Sequence, residues 1–175
     1  MPFAGGWYGL PIPKDTRDGL QTGFADPNSY GIDGRGVIYH MAYFSAKHFG
    51  AGQFYLISIS DRAGKPLEGG KTYRLTVPAN APIEQYWSVT AYDRQTHALI
   101  VGTPRPSLAS NDAAVQKNAD GSTDVYFGPK APTGKEANWV PTDPKRGFEL
   151  LFRLYGPKKD LFEKTWKLPD VEEVK

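Results

Sequence analysis

The sequence predicts an all-β chain: an antiparallel β-sandwich, jelly-roll-like, with one N-terminal amphipathic helix and a short C-terminal helix. Three observations carry that prediction. Short runs such as QFYLISIS, KTYRLTV and QYWSVTA alternate their side chains with the period of two that a strand imposes. Turn residues punctuate these runs, with 19 Gly and 15 Pro that follow no repeat. Aromatic residues make up 13% of the chain, and such side chains suit a pleated surface. The runs follow one another without βαβ alternation, which argues against a parallel sheet.

Taken in order, residues 1–34 are dense in Gly, Pro and Asp and read as an extended arm, with 35–175 as a single sandwich domain. The run RGVIYHMAYFSAKHF spaces Val37, Met41, Phe44 and His48 by three or four, which predicts an amphipathic helix over 35–49 ended by Gly50. QFYLISISD follows as a strand, with Tyr55, Ile57 and Ile59 on one face and Phe54, Leu56, Ser58 and Ser60 on the other. That second face turns polar towards its end, so only its start need be deeply buried. KTYRLTVP sets Tyr73, Leu75 and Val77 against Thr72, Arg74 and Thr76, a half-buried strand closed by Pro78. EQYWSVTAYD puts Trp87, Val89 and Ala91 opposite Tyr86, Ser88, Thr90 and Tyr92, and HALIV reads as a further short strand.

Residues 102–119 read as a long polar loop, and Asn-Ala-Asp-Gly as a turn feeding a strand at Thr123–Phe127. A second long loop, PKAPTGKEANWVPTDPKRG, leads to FELLFRLYG, the most apolar strand of the chain. PKKDLFEKTW then reads as the short helix, with Pro157 in its first turn, before a charged tail.

Composition excludes several kinds of chemistry. Net charge is +2 over 175 residues with no basic run, so nucleic-acid binding has no electrostatic footprint. The absence of Cys removes disulfides, thiolate-ligated zinc, iron–sulfur clusters and cysteine nucleophiles. No stretch reaches the ~18 apolar residues of a membrane-spanning helix, and the N-terminus lacks the basic and apolar regions of a signal peptide.

Five strings occur in order between about Gly31 and Glu173: DRAGKPLEGGKTYRLTVP, QYWSVTAYD, KNADGSTDVYFGPKAP, KEANWVPT and RLYGPKKDLFEKTWKLPDVEE. Together they resemble domain of unknown function 1214, a far more specific signal than any one motif. The resemblance implies a β-sandwich or jelly-roll domain of bacterial, commonly exported proteins, so a periplasmic or secreted location. In most members an N-terminal half, domain of unknown function 1254, precedes it. That domain is one expected partner, and a homo-oligomer contact through the N-terminal arm is the other. The resemblance brings no catalytic motif to carry over.

Candidate chemistry is sparse. Of the three histidines, His40 and His48 stand more than two helical turns apart, too far for a paired metal site, and His97 is isolated in sequence. No metal or cofactor is expected. GxSxG is absent, and Gly34 and Gly36 form a GxG without its third glycine. KNADGST has EF-hand-like spacing, but Gln116 and Phe127 fall where a calcium loop needs carboxylates.

The candidate ligand-binding residues are Trp87, Tyr92 and Asp93 around one strand, and Lys135, Glu136, Asn138 and Trp139 in the KEANWVP loop. Long ordered loops on a β scaffold are where sites gather, and exposed aromatics stack sugars or aromatic metabolites. The plainer alternative has Trp139 plugging one end of the sandwich while Glu136 and Asn138 bond the loop backbone. Three functions stay open: a small-molecule or carbohydrate binding or scaffold module, a hydrolase or metal-assisted enzyme completed by an N-terminal domain, and a structural oligomerisation domain.

Overall fold

Alternation along 72–77 and the apolar-rich run FELLFRLY along 148–155 call for one strand open on one face and another covered on both. The computed structural model, which describes residues 7–8 and 52–174, contains both in an all-β sandwich. A five-stranded sheet has the order β1 (Trp7–Tyr8), β2 (Gln53–Ser58), β8 (Phe148–Tyr155), β4 (Trp87–Asp93), β5 (Ser107–Ala109). A four-stranded sheet has the order β7 (Trp139–Pro141), β6 (Thr123–Gly128), β3 (Thr72–Val77), β9 (Glu172–Val174).

β3 shows the predicted alternation: Tyr73, Leu75 and Val77 are buried and Thr72, Arg74 and Thr76 are half-exposed. β8, at the centre of the larger sheet, turns Phe148, Leu150, Phe152 and Leu154 towards β3 and β6. Each fully buried side chain of this size contributes about 1.5–3 kcal/mol. Aromatic pairs brace the core: within the larger sheet Trp87 stacks on Phe152 at 5.4 Å, and across the layers Tyr73 meets Phe148 edge-on at 5.6 Å. The short helix α1 (Lys159–Phe162) buries Leu161 and sets Phe162 against Phe54. Trp166, Leu168 and Val171 carry the chain over the core into β9.

The other face of the larger sheet is buried as well. Tyr55, Ile57, Tyr92 and Leu151 form a separate cluster there, beside the buried Ser88, Thr90 and Glu149. β2 is thus covered on both faces for most of its length, more than its polar end led one to expect.

Four expectations need correction. The sandwich is not wholly antiparallel, because β7 pairs parallel with β6 (Tyr126↔Trp139 to Gly128↔Pro141). HALIV is not a strand: only Leu99 bridges Tyr92, His97 turns into the left-handed region, and Ile100 alone of its large side chains reaches the core. β5 lies inside the expected loop over 102–119, where Ser88, Val89 and Thr90 of β4 offer an edge to Ala109, Leu108 and Ser107. The charged tail supplies β9, whose glutamates face cations beside β3 rather than the core.

The expected helix over 35–49, with His40 and His48, lies outside the described residues. So does the arm over 1–34, apart from Trp7–Tyr8, which pairs antiparallel with Ile57 and Ser58 of β2.

Candidate functional site

At the end of β4 the chain reverses through Asp93–Ala98. Asp93 builds this turn: its Oδ1 accepts from the N–H groups of Gln95 (2.9 Å) and Thr96 (2.8 Å) and from the Thr96 hydroxyl. Main-chain bonds from Asp93 N–H to the Ala98 carbonyl and from His97 N–H to the Asp93 carbonyl close it. His97 then sits at φ 54°, where an L side chain is uncommon.

Asp93 also takes a forked pair from Arg146, whose Nη2 reaches Oδ1 at 2.9 Å while Nε donates to Oδ2. The Arg146 guanidinium, followed by the Thr96 and Gln95 donors, holds the Asp93 carboxyl well below the usual carboxylate range. One strand over, Glu149 sits opposite Tyr92 on β8 and is only 2% exposed. Its Oε2 accepts from Arg94 Nη1 at 3.1 Å, and its Oε1 lies 2.9 Å from His97 Nδ1. An ionised carboxylate only accepts, so the ring proton belongs on Nδ1.

Two buried carboxylates on neighbouring strands therefore fix two guanidiniums and an imidazole whose side chains stay partly exposed, 46% for Arg94, 38% for Arg146 and 35% for His97. Further along the same face, Arg153 donates to Thr90 Oγ1 (2.9 Å) and to the Tyr92 hydroxyl (2.6 Å), with its guanidinium 5.9 Å from the ring centres of Tyr55 and Tyr92.

The KEANWVP loop belongs to the other sheet. A 3-10 turn over Glu136–Asn138 leads into β7. Asn138 is 3% exposed and spends its whole amide on backbone: Nδ2 donates to the carbonyls of Gln116 (2.7 Å) and Asp124 (2.8 Å), and Oδ1 accepts from Gln116 N–H (2.8 Å). Trp139, half-buried, donates Nε1–H to the Gly128 carbonyl at 2.9 Å. Glu136 is exposed and accepts from Gly134 N–H, while Lys135 is half-buried. Arg105 reaches the Ala137 carbonyl (2.7 Å) and Asp112 (2.9 Å), fastening the turn from outside.

The structure thus separates the seven candidate residues. Tyr92 and Asp93 join the polar cluster at the end of β4, Trp87 lies in the core, and Lys135, Glu136, Asn138 and Trp139 form the loop clamp on the smaller sheet. Sequence reasoning missed Arg94 and Glu149 as partners around His97, and Arg146 as the partner of Asp93, because these pairs lie 52 to 55 residues apart in the chain. A buried Glu within the apolar run FELLFRLY was the available signal. Among the described residues, no group of three or more His, Cys, Asp or Glu is placed to hold a metal ion.

Comparison with known proteins adds family and fold. The family described as "Protein of unknown function (DUF1214)" matches residues 52–159. Among curated proteins, none matches the chain. Among solved structures, the VPA0106 protein from Vibrio parahaemolyticus superposes with a TM-score of 0.64 at 20% identity, over 82% of this chain and 35% of that one. An uncharacterised protein from Burkholderia cenocepacia aligns at 16% identity and a TM-score of 0.46, over 91% of this chain and 49% of that one. The chain thus spans about a third of the Vibrio protein and about half of the Burkholderia one.

Proposed function

We propose, from the premise that this chain belongs to the DUF1214 family of proteins of unknown function, that it is a binding and scaffold module rather than a self-sufficient enzyme. Its ligand is a small anionic molecule, such as a sugar acid, held at the end of β4. The observation that carries this reading is Glu149: buried on β8, it holds Arg94 and His97 side by side at the surface, while Asp93 at the same strand end fixes Arg146. Cationic donors oriented in advance by buried carboxylates lose little freedom on binding, which favours a carboxylate or phosphate ligand.

Tyr92 supplies a buttress between these groups and Arg153. Lys135, Glu136, Asn138 and Trp139 serve the scaffold, because Asn138 and the Trp139 indole N–H are committed to backbone carbonyls. A jelly-roll-like wiring of the two sheets, membership of a longer exported protein, and an N-terminal partner domain complete the proposal.

Isothermal titration with glucuronate, glucose and inorganic phosphate tests it. Glucuronate or phosphate should bind while glucose does not, and Arg94→Ala should weaken binding at least tenfold. Equal binding of glucose and glucuronate, or no binding by either anion, overturns it.

One observation favours an enzymatic second reading. With Nδ1 2.9 Å from the buried Glu149 carboxylate, His97 turns its other ring nitrogen, Nε2, away from it, the arrangement of an imidazole oriented for general-base catalysis. Turnover of an ester or glycoside by the chain, lost in His97→Gln, would raise that reading above the first.

A further inference from the structure

The smaller sheet ends on a strand held by charge. β9 pairs antiparallel with β3 through Thr72↔Val174, Tyr73↔Glu173 and Arg74↔Glu172. None of its residues is buried. Apolar anchoring stops just before it, at Val171, which is fully buried and whose carbonyl accepts from Arg62 N–H at 2.8 Å.

From there, charge takes over. Glu172 is gripped from two elements, by Arg62 Nη1 at 2.6 Å and by Arg74 Nη2 of β3 at 3.3 Å. The Arg62 guanidinium holds the Glu172 carboxyl below the ordinary carboxylate range. Lys71 Nζ lies 3.5 Å from Glu173 and 2.9 Å from Glu68. An open cleft lined by Asp61, Arg62, Ala63, Lys65, Glu172 and Glu173 lies beside the strand.

We propose that the β3 edge with its cations Arg62, Lys71 and Arg74 is an acceptor for an extended acidic segment of another protein chain, occupied in cis by Glu172–Val174. Main-chain pairing to β3 provides the docking, and the three cations read two consecutive acidic side chains, the mode by which a sheet edge takes up a peptide strand. The resident strand is displaceable because it pairs over three residues only and its ion pairs are exposed and open to salt.

The test uses a labelled peptide Asp-Val-Glu-Glu-Val-Lys and its control with both Glu replaced by Gln. Fluorescence anisotropy follows their binding to the full chain and to the variant Glu172→Lys/Glu173→Lys, whose tail repels the edge. The acidic peptide should bind this variant at least tenfold tighter than the parent, lose most of that affinity in 0.5 M NaCl as exposed pairs do, and fail when Arg74→Glu is added. Hydrogen exchange at Thr72–Arg74 should quicken in the vacated variant and slow again with peptide. No gain over the parent in a variant that melts as a folded domain, or equal binding of the Gln peptide, overturns the proposal.

Discussion

Asn138 and Gln116 bond each other in both directions, Asn138 Nδ2 to the Gln116 carbonyl at 2.7 Å and Gln116 N–H to Asn138 Oδ1 at 2.8 Å. With its other amide hydrogen on the Asp124 carbonyl, this one side chain ties the segment before β6, the strand β6 itself and the turn into β7. Asn138→Ala leaves three backbone groups without their partner in a site only 3% exposed. It should cost about 2–4 kcal/mol, given roughly 1–3 kcal/mol for each buried polar group left unsatisfied and partial rescue by water. Asn138→Asp should be worse, since its carboxylate would face two carbonyl oxygens. Urea midpoints at constant m-value check both, and wild-type stability in Asn138→Ala would refute the clamp.

Asp93 and Arg146 make the pH prediction. The folded carboxyl titrates below its unfolded value, so its stabilisation is complete above the unfolded pKa of about 3.9. It is lost as pH falls from there towards the folded value, where the unfolded chain binds the extra proton. Arg146→Ala should cost about 1–2 kcal/mol at pH 7, the lower part of the range for a charged hydrogen bond because Arg146 is 38% exposed. That deficit should shrink between about pH 4 and pH 2, as the folded variant's Asp93 takes up a proton that the parent's Arg146-bound carboxyl still refuses. Melting curves across this range decide it, and a deficit independent of pH would assign the loss to packing alone.

The strands that the sequence made legible are those whose burial follows a regular pattern. Tyr73, Leu75 and Val77 alternate because one face of β3 meets the core and the other meets solvent. β5, β7 and β9 escaped because each is three residues long and placed by what it pairs with, not by its own composition. Pro141 in β7 and the glutamates of β9 argue locally against strands, yet a parallel partner and a basic edge override them.

The site divides in the same way. Asp93 before a turn and Asn138 in a long loop were readable as residue types that bond nearby backbone. The meeting of Arg94, His97 and Glu149 depends on the antiparallel register of β4 and β8, which no local pattern encodes.

Gly69 tests how that cluster is braced. Its N–H donates to the Arg146 carbonyl at 2.8 Å and its carbonyl accepts from Thr142 Oγ1 at 2.7 Å. A Cβ there would overlap the Asp143 carbonyl oxygen and crowd that of Arg146, so backbone rather than a flexible side chain would have to give way. Gly69→Ala should destabilise by about 1–3 kcal/mol, as overpacking does. It should also detach Arg146 from Asp93, visible as a reduced dependence of stability on pH between about pH 4 and pH 2. An unchanged melting point would show that the loop over 143–146 yields freely.

The two candidate tryptophans, Trp87 and Trp139, separate core from loop. Trp87 is 4% exposed and stacked on Phe152, so Trp87→Ala should cost about 3–5 kcal/mol. Trp139 is half-buried and anchored mainly by its bond to the Gly128 carbonyl, so Trp139→Ala should cost less, about 1–3 kcal/mol from one hydrogen bond and partial burial. Neither should change anion affinity by more than twofold if the ligand binds at the end of β4. A Trp139→Ala protein that melts like the parent but loses ligand would return the site to the KEANWVP loop.

His97 sets backbone strain against a side-chain contact, and two substitutions take them apart. At φ 54° an L residue is disfavoured by about 1–2 kcal/mol, which glycine avoids. The contact between Nδ1 and Glu149 works in the other direction. A hydrogen bond to a charged group is worth about 1.5–3 kcal/mol when sequestered, and the lower end applies to a side chain 35% exposed. His97→Ala loses the contact and keeps the strain, so it should be destabilised by about 1–2 kcal/mol. His97→Gly loses the contact and relieves the strain, so it should lie within about 1 kcal/mol of the parent and above the Ala variant. The gap between the two variants reads the strain less the ~0.5–1 kcal/mol that glycine's extra unfolded-state freedom costs, since both leave Glu149 with the same missing partner. If His97→Gly proves no more stable than His97→Ala in urea, the turn is not held in the left-handed region in solution, and the imidazole is not positioned by it.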